Sequence, residues 1–403
     1  MRRQLKILHL VPTMGLLSET FVNRRIIQND AMGITNKIIT GKIYNGLNNS
    51  YIESITELCN SRYFNKVNAI KYKVFDTFFG GYHSFSVDTL IRNILDFQPD
   101  IIHVHFGYPV FSLERAIDKC IKENKAIRMP SIIVSLHGSD VLSFPNRFSQ
   151  QGNSCLALVE LTNVTFVVPT EFLKKKAIIN YGLPLDKIVV IPNMVDESVF
   201  PELLDAKVLV PKYNQIECAN IARFVNWKGH KYLIEGFALF LNKTGCNAKL
   251  NLIGDGPLLK DMKHLSTKLG IGNQVVFHGA ISHKDVEKTL SKSDIYLHAS
   301  IRDEKTNQEE SFGIAILESI YAGLACITTI TGGIPDVIGN FDKESVQIQT
   351  VEQQSAEALC SALMLIYIKG YKTDLDYVKQ RKLLFSSEAI DKAWNQEFVN
   401  LAG

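Results

Sequence analysis

The stretch Glu309–Val337, EESFGIAILESIYAGLACITTITGGIPDV, sets two carboxylates, Glu310 and Glu318, into a segment otherwise composed like buried core, with a Gly-Gly turn downstream. Apolar side chains at 314, 317, 320, 321 and 324 follow helical spacing, and Gly323 stands where a left-handed C-terminal cap closes a helix. The run ACITT then reads as a strand, and TGGIPDVI as a turn into a second helix opened by Pro335. Glu310 precedes the first helix, on a flexible lip, while Glu318 lies within it on a rigid support. Core positions reject an ionised carboxylate unless a partner answers it, and the expected partner is a ligand.

Working outward, short β-branched runs recur between helical patterns, as strands of a parallel sheet covered on both faces do. In the first half they are KILHLVP, NKIIT, IIHVHFG, SIIVSLHG, VTFVVPT and KIVVIPN. In the second they are ECANIARF, KLNLIGDG, VVFHGA, IYLHAS, ACITT and VQIQ. Two such sets in 403 residues predict two doubly wound α/β domains. The seam is expected near 191–200, giving domains over 1–192 and 193–379 and terminal helices over 380–403. Ligands of such sheets bind beyond the carboxyl ends of the strands, so the site is expected in the cleft where loops of both domains meet.

Composition is that of an ordinary soluble chain, 46% hydrophobic and 21% charged, and no apolar run is long enough for a spanning helix. The opening MRRQLKILHLVPTMG reads as a first strand, not a leader. Seven cysteines without a CxxC pair argue for a reducing compartment, the cytoplasm. Net charge is +3, with the positive charge concentrated in the first half, which could steer that half to an anionic membrane surface. No nucleic-acid motif is present.

Glycine amides and helix N-termini accept phosphate, whereas carboxylates repel it and suit hydroxyls. A ligand carrying both a diphosphate and vicinal hydroxyls, such as a nucleotide sugar, satisfies both. IGDGPL lacks the third glycine of a dinucleotide fingerprint, and no P-loop occurs. His103 and His105 share one strand face, but no third metal ligand with convincing spacing appears; a structural role is expected for His103 and an acceptor-side contact for His105.

The Glu310/Glu318 spacing with TGGIPD resembles the donor site of retaining glycosyltransferases of family 4, which have the GT-B fold. IARFVNWKGH, IGDGPL, IPNMVD and LSETFV are similar to further elements of that family, the last to members that assemble bacterial surface polysaccharide. The resemblance implies that Arg223 and Lys228 grip the donor diphosphate, that Glu318 takes the ribose hydroxyls and that Glu310 lies near the sugar. It implies likewise that His137, in SLHGSD, lies against the transferred sugar and that the backbone of Gly15 approaches the diphosphate. Gly313, Gly332 and Gly333 complete the donor-side set, and Glu19 joins His105 on the acceptor side. Ser311 departs from the common glycine, and MGLLSE lacks the usual Gly-Gly pair.

The implied reaction is retaining transfer of a hexosyl unit from a nucleoside diphosphate sugar, UDP-hexose before GDP-mannose, to a lipid-linked glycan. No cofactor or metal is expected, and the terminal helices are expected to return to the first domain. The place of work is the cytoplasm, peripheral to the membrane, with Arg62, Lys66, Lys71 and Lys73 and Lys174–Lys176 offering charge to anionic lipid. The alternatives are a GT-B sugar-nucleotide epimerase and a sugar-binding protein without catalysis.

Overall fold

The computed structural model describes residues 4–14, 20–43, 55–57, 85–125, 128–143, 149–195, 200, 203, 205–210, 215–341 and 346–402. Gly15, Glu19 and the basic segment holding Arg62, Lys66, Lys71 and Lys73 lie outside them. The chain divides into two units, Met1–Pro192 with Asp391–Gly403, and Asn193–Ile390.

The first unit is built on a parallel sheet ordered β3-β2-β1-β4-β5-β6-β7. Its strands are β1 (Lys6–Met14), β2 (Thr35–Ile43), β3 (Ile55–Glu57), β4 (Ile101–His105), β5 (Ser131–Ser135), β6 (Val164–Val168) and β7 (Ile188–Val190). The six strands expected from sequence are joined by β3, three residues long at the sheet edge. Alternation sorts the side chains of the central strands. Leu8 and Leu10 of β1 and Ile102 and Val104 of β4 enter the main core, together with Ile132, Val134 and Phe166. The opposite face carries Val11 and Ile38 against Val22 and Ile26 of the helix Thr20–Ala31.

The second unit repeats the plan with order β11-β10-β9-β12-β13-β14. After the short β8 (Val208–Leu209) come β9 (Ile216–Ile221), β10 (Ala248–Ile253), β11 (Val275–Gly279), β12 (Ile295–His298), β13 (Ala325–Thr329) and β14 (Ile348–Val351). β8 pairs antiparallel with β15 (Tyr371–Lys372). Ile295, Leu297 and Ala299 point into one core, whereas Tyr296 turns to the other, beneath Ile316, Leu317, Ile320 and Tyr321 of the helix Ile314–Tyr321. That helix ends as the sequence predicts, with Gly323 at φ +73° donating its N–H to Ile320 at 2.9 Å. In each unit the strand order reverses beside the first strand, so β1 and β4, and β9 and β12, flank the switch points where such sheets bind ligands.

The helix Leu375–Leu384 stays in the second unit, and only the final helix, Ser387–Ala402, carries the chain back into the first. There Asp391 accepts a hydrogen bond from Arg25 at 2.9 Å, and the Leu401 carbonyl accepts one from Ser131 Oγ at 2.8 Å. Among the described residues, no helix is long and apolar enough to cross a membrane, and Cys120, Cys155, Cys218, Cys246, Cys326 and Cys360 are free thiols.

Candidate active site

The loops leaving β9 and β12 form one construction. After β9 the chain makes a 3-10 turn over Asn226–Lys228, closed by Gly229 at φ +66°. A Cβ on Gly229 would lie 1.8 Å from the Ala299 carbonyl oxygen, so only glycine lets this turn lie on the end of β12. Two hydrogen bonds tie the loops together. Ile301 N–H donates to the Trp227 carbonyl at 2.8 Å, and Asn226 Nδ2 donates to Asp303 Oδ2 at 3.0 Å.

This arrangement brings Lys228 to Glu310. Lys228 Nζ donates to Glu310 Oε2 at 2.5 Å, lies 4.0 Å from the centroid of the Trp227 ring, and its side chain is only 13% exposed. The same carboxylate oxygen accepts from His298 Nε2 at 3.1 Å and from Ser300 Oγ at 3.2 Å. Glu310 is therefore neither on a flexible lip nor dependent on a ligand for its partner: it is 5% exposed, and this chain supplies three donors. Burial alone would raise its carboxyl, but the Lys228 charge and the His298 hydrogen bond hold it well below the usual carboxylate range. Burial lowers Lys228 and His298, against the opposing pull of Glu310 on each.

The backbone of Glu310 is fixed as firmly as its side chain. Its carbonyl accepts the Gly333 N–H at 2.8 Å. Gly332, at φ +58°, packs so closely that a Cβ would lie 1.7 Å from the Glu310 carbonyl oxygen. The Gly-Gly pair thus joins the turn after β13 to the loop that carries Glu310, and the Gly333 amide is committed to that joint. Pro335 opens the helix Ile334–Ile338 as expected.

Glu318 is 6% exposed within the helix Ile314–Tyr321, whose N-terminus is Gly313 at φ +98°. His283 Nδ1 stands 3.8 Å from Glu318 Oε1. Arg223, just beyond β9, is exposed, and its charge reaches Lys228, whose ammonium it helps to depress. The second unit thus gathers Arg223, Lys228, Glu310, Glu318, Gly313, Gly332 and Gly333 around the ends of β9, β12 and β13.

In the first unit His137 follows β5 in a loop organised by Asp140, which is fully buried. Asp140 Oδ1 accepts from the N–H groups of His137 at 3.0 Å and Gly138 at 2.8 Å, and Oδ2 from that of Gly107 at 2.9 Å. The last of these anchors the loop to the turn after β4. Burial lowers the His137 imidazole to about 3, so it is neutral near pH 7 and can meet a sugar as a hydrogen-bonding, uncharged ring. His105 is 2% exposed and lies in the sheet interior, its Nε2 3.1 Å from His9 Nδ1.

His298, Ser300 and Asp140 had escaped the sequence reading. The signal for the first two was present: His298 and Ser300 alternate on one face at the end of the otherwise apolar strand IYLHAS. Asp140 reaches back to the amides of Gly138 and His137 and across to that of Gly107, the reverse of the forward reach of a turn aspartate, so local sequence carried no signal for it.

Comparison with known proteins agrees with this geometry. The family description "Glycosyltransferase Family 4" matches residues 53–199, and "Glycosyl transferases group 1" matches residues 205–379. N-acetyl-alpha-D-glucosaminyl L-malate synthase of Bacillus anthracis is 28% identical over 247 residues, 60% of this chain and 60% of its own. An amylovoran biosynthesis glycosyltransferase of Erwinia amylovora is 23% identical over 278 residues, 66% of this chain and 61% of its own. The matches therefore span about three fifths of the length of these relatives. The solved structure of Anabaena HepE in complex with UDP and glucose shares the fold, with a TM-score of 0.70 and 15% identity, covering 98% of this chain and 100% of that one. The two family models together cover most of the chain, which belongs to glycosyltransferase family 4 and has the GT-B fold.

Proposed function

We propose that this enzyme transfers a hexosyl unit from UDP-hexose, with retention, to a hydroxyl of a lipid-linked glycan in bacterial surface polysaccharide synthesis. The observation that carries the reading is Lys228 held against Glu310 at the end of β9, beside the exposed Arg223. Transfer breaks the bond between the anomeric carbon and the diphosphate, which leaves with the electron pair. Arg223 and Lys228 are the cations that answer the growing negative charge, so no metal is required at the diphosphate. The acceptor hydroxyl forms the new bond from the same face and gives its proton to a departing diphosphate oxygen. Glu310 then acts by holding Lys228 in place and flanking the sugar, Glu318 by accepting the ribose hydroxyls, and His137 by contacting the sugar.

The nucleotide and the sugar class find support in the UDP and glucose of the Anabaena structure and in the glucosaminyl product named for the Bacillus relative. The acceptor class finds it in the LSETFV motif and in the amylovoran relative. A lipid-linked acceptor calls for work at the cytoplasmic membrane surface. Lys174–Lys176, on the helix Glu171–Tyr181, and the basic residues of 62–73 are the charges that would face anionic lipid.

Incubation with UDP-hexoses and a lipid-linked glycan tests the reading. Release of UDP with a new glycosidic bond of unchanged anomeric configuration is expected. An altered sugar still on UDP would make the protein an epimerase, and binding without turnover would leave a sugar-binding protein.

A further inference from the structure

HxH in β4 offers two imidazoles, and the fold supplies a third that sequence spacing did not reveal. β1 and β4 are parallel neighbours in which His9 pairs directly with His103, and His105 follows two residues later on the same face. His9 and His103 are fully buried and His105 is 2% exposed. One ring nitrogen from each lies within 4.8 Å of the others.

The hydrogen bonds around the cluster do not satisfy it. His9 Nε2 lies 2.9 Å from Asn36 Oδ1 and 3.4 Å from Asn29 Nδ2; in the tautomer that donates Nε2–H along the shorter contact, the lone pair of Nδ1 faces His105 Nε2 at 3.1 Å. Asn36 is itself oriented by donating Nδ2 to Asp30 Oδ1. His103 Nε2 is 2.8 Å from Ser135 Oγ. His103 Nδ1 and His105 Nδ1 are buried without a hydrogen-bond partner. Orphaned polar atoms in a core are uncommon, and with Ser135 on His103 Nε2 the orphaned His103 Nδ1 is the nitrogen left to face an ion beside His9 Nδ1 and His105 Nε2.

We infer that His9, His103 and His105 form a binding site for one zinc-class divalent ion that pins β1 to β4. Three nitrogens at about 2.0–2.1 Å from such an ion stand about 3.4 Å apart in tetrahedral geometry. The 3.1 Å between His9 and His105 nearly meets that spacing, and the 4.8 Å within which all three lie is closed by a side-chain adjustment of at most about 1.4 Å. The His103 ring stacks on His105 with centroids 4.1 Å apart and rests on Trp394 at 5.1 Å. The oxygens on His9 and His103 are the outer partners that usually orient metal-binding imidazoles.

An all-nitrogen, neutral donor set selects zinc, cobalt, nickel or copper over magnesium, calcium or manganese, which favour oxygen. Among the described residues, the cation packed nearby is Arg25, which is paired with Asp391 at 2.9 Å, and Asp30 behind Asn36 supplies a further negative charge. Three side-chain ligands leave a fourth position to water. The inference rests on the imidazole geometry of the first unit and does not depend on which donor or acceptor the enzyme uses.

The test uses the full chain without a histidine tag, stripped with chelator and dialysed against zinc, cobalt or magnesium. About one equivalent of zinc should be retained and raise Tm, while magnesium does neither. Cobalt should give the intense visible bands of a tetrahedral nitrogen site, displaced by zinc. His9→Gln and His103→Gln should abolish both retention and spectrum, whereas His278→Gln, on the exposed face of β11, should leave them unchanged. Less than about a tenth of an equivalent in the wild type would overturn the site. So would retention surviving in both cluster variants. If the variants do not fold, the wild-type cobalt spectrum decides: octahedral, weak bands would sink the proposal.

Discussion

Lys228 Nζ and Glu310 Oε2 stand 2.5 Å apart with side-chain exposures of 13% and 7%, so the ammonium is held by a carboxylate largely shielded from water. Their attraction is less screened than on a surface, and each ion depends on the other to remain charged. The pair also spans the loops after β9 and β12. Loss of either partner therefore affects stability and site geometry together.

Glu310→Gln should cost about 3–5 kcal/mol at pH 7, the usual penalty for leaving a buried charge unanswered. The sign of the pH dependence follows from the depressed folded value of Glu310. Its contribution is complete above the unfolded value of about 4.3 and is lost as pH falls toward the folded one. Wild type and variant should thus differ most near neutrality and converge in acid. Urea unfolding across pH 2.5–7 measures it, and a gap that stays constant would mean that Glu310 is not ionised in the folded protein.

Arg223→Ala and Lys228→Ala separate catalysis from structure. If both charges meet the leaving diphosphate, as proposed, both variants should lower kcat more than donor affinity. Arg223 is exposed, and its loss should move stability by no more than about 0.5 kcal/mol. Lys228→Ala also strands Glu310 and should lower Tm clearly. Equal losses of kcat and donor affinity in Arg223→Ala would show uniform binding instead.

Glu318 is placed for recognition, on a helix whose apolar residues are packed into the core. If its carboxylate takes ribose hydroxyls, Glu318→Ala should weaken donor binding by about 1.5–3 kcal/mol. UDP alone should suffer the same loss, because the ribose belongs to the nucleotide. Calorimetry with UDP and UDP-hexose checks both, and an unchanged affinity in a folded variant would remove Glu318 from the site.

The parts legible in sequence were those written in local periodicity: the strand runs, the helix Ile314–Tyr321 with Gly323 at its end, and Pro335 opening the next helix. What stayed hidden depended on register between distant strands. His9 meets His103 only because β1 and β4 pair across 94 residues. His298 and Ser300 meet Glu310 because the intervening loop turns back on β12. No spacing rule encodes such a return, and a buried carboxylate consequently looked in want of a ligand when its partners lay in this chain.

Gly332 and Gly245 provide a matched comparison, at φ +58° and +62°. A Cβ on Gly245 would meet nothing within 4 Å, so Gly245→Ala should show only the backbone penalty of the left-handed region, about 1–2 kcal/mol. A Cβ on Gly332 would lie 1.7 Å from the Glu310 carbonyl oxygen and 2.8 Å from its carbon, a clash that no side-chain rotation relieves. Gly332→Ala must therefore push the Gly-Gly turn away from Glu310, breaking the Gly333 N–H bond to its carbonyl. The expected result is a larger loss of Tm than for Gly245→Ala, with kcat falling as the Lys228 partner shifts. Differential scanning calorimetry with UDP-hexose turnover measures both, and equal Tm losses with full activity would show that this joint is not what fixes Glu310.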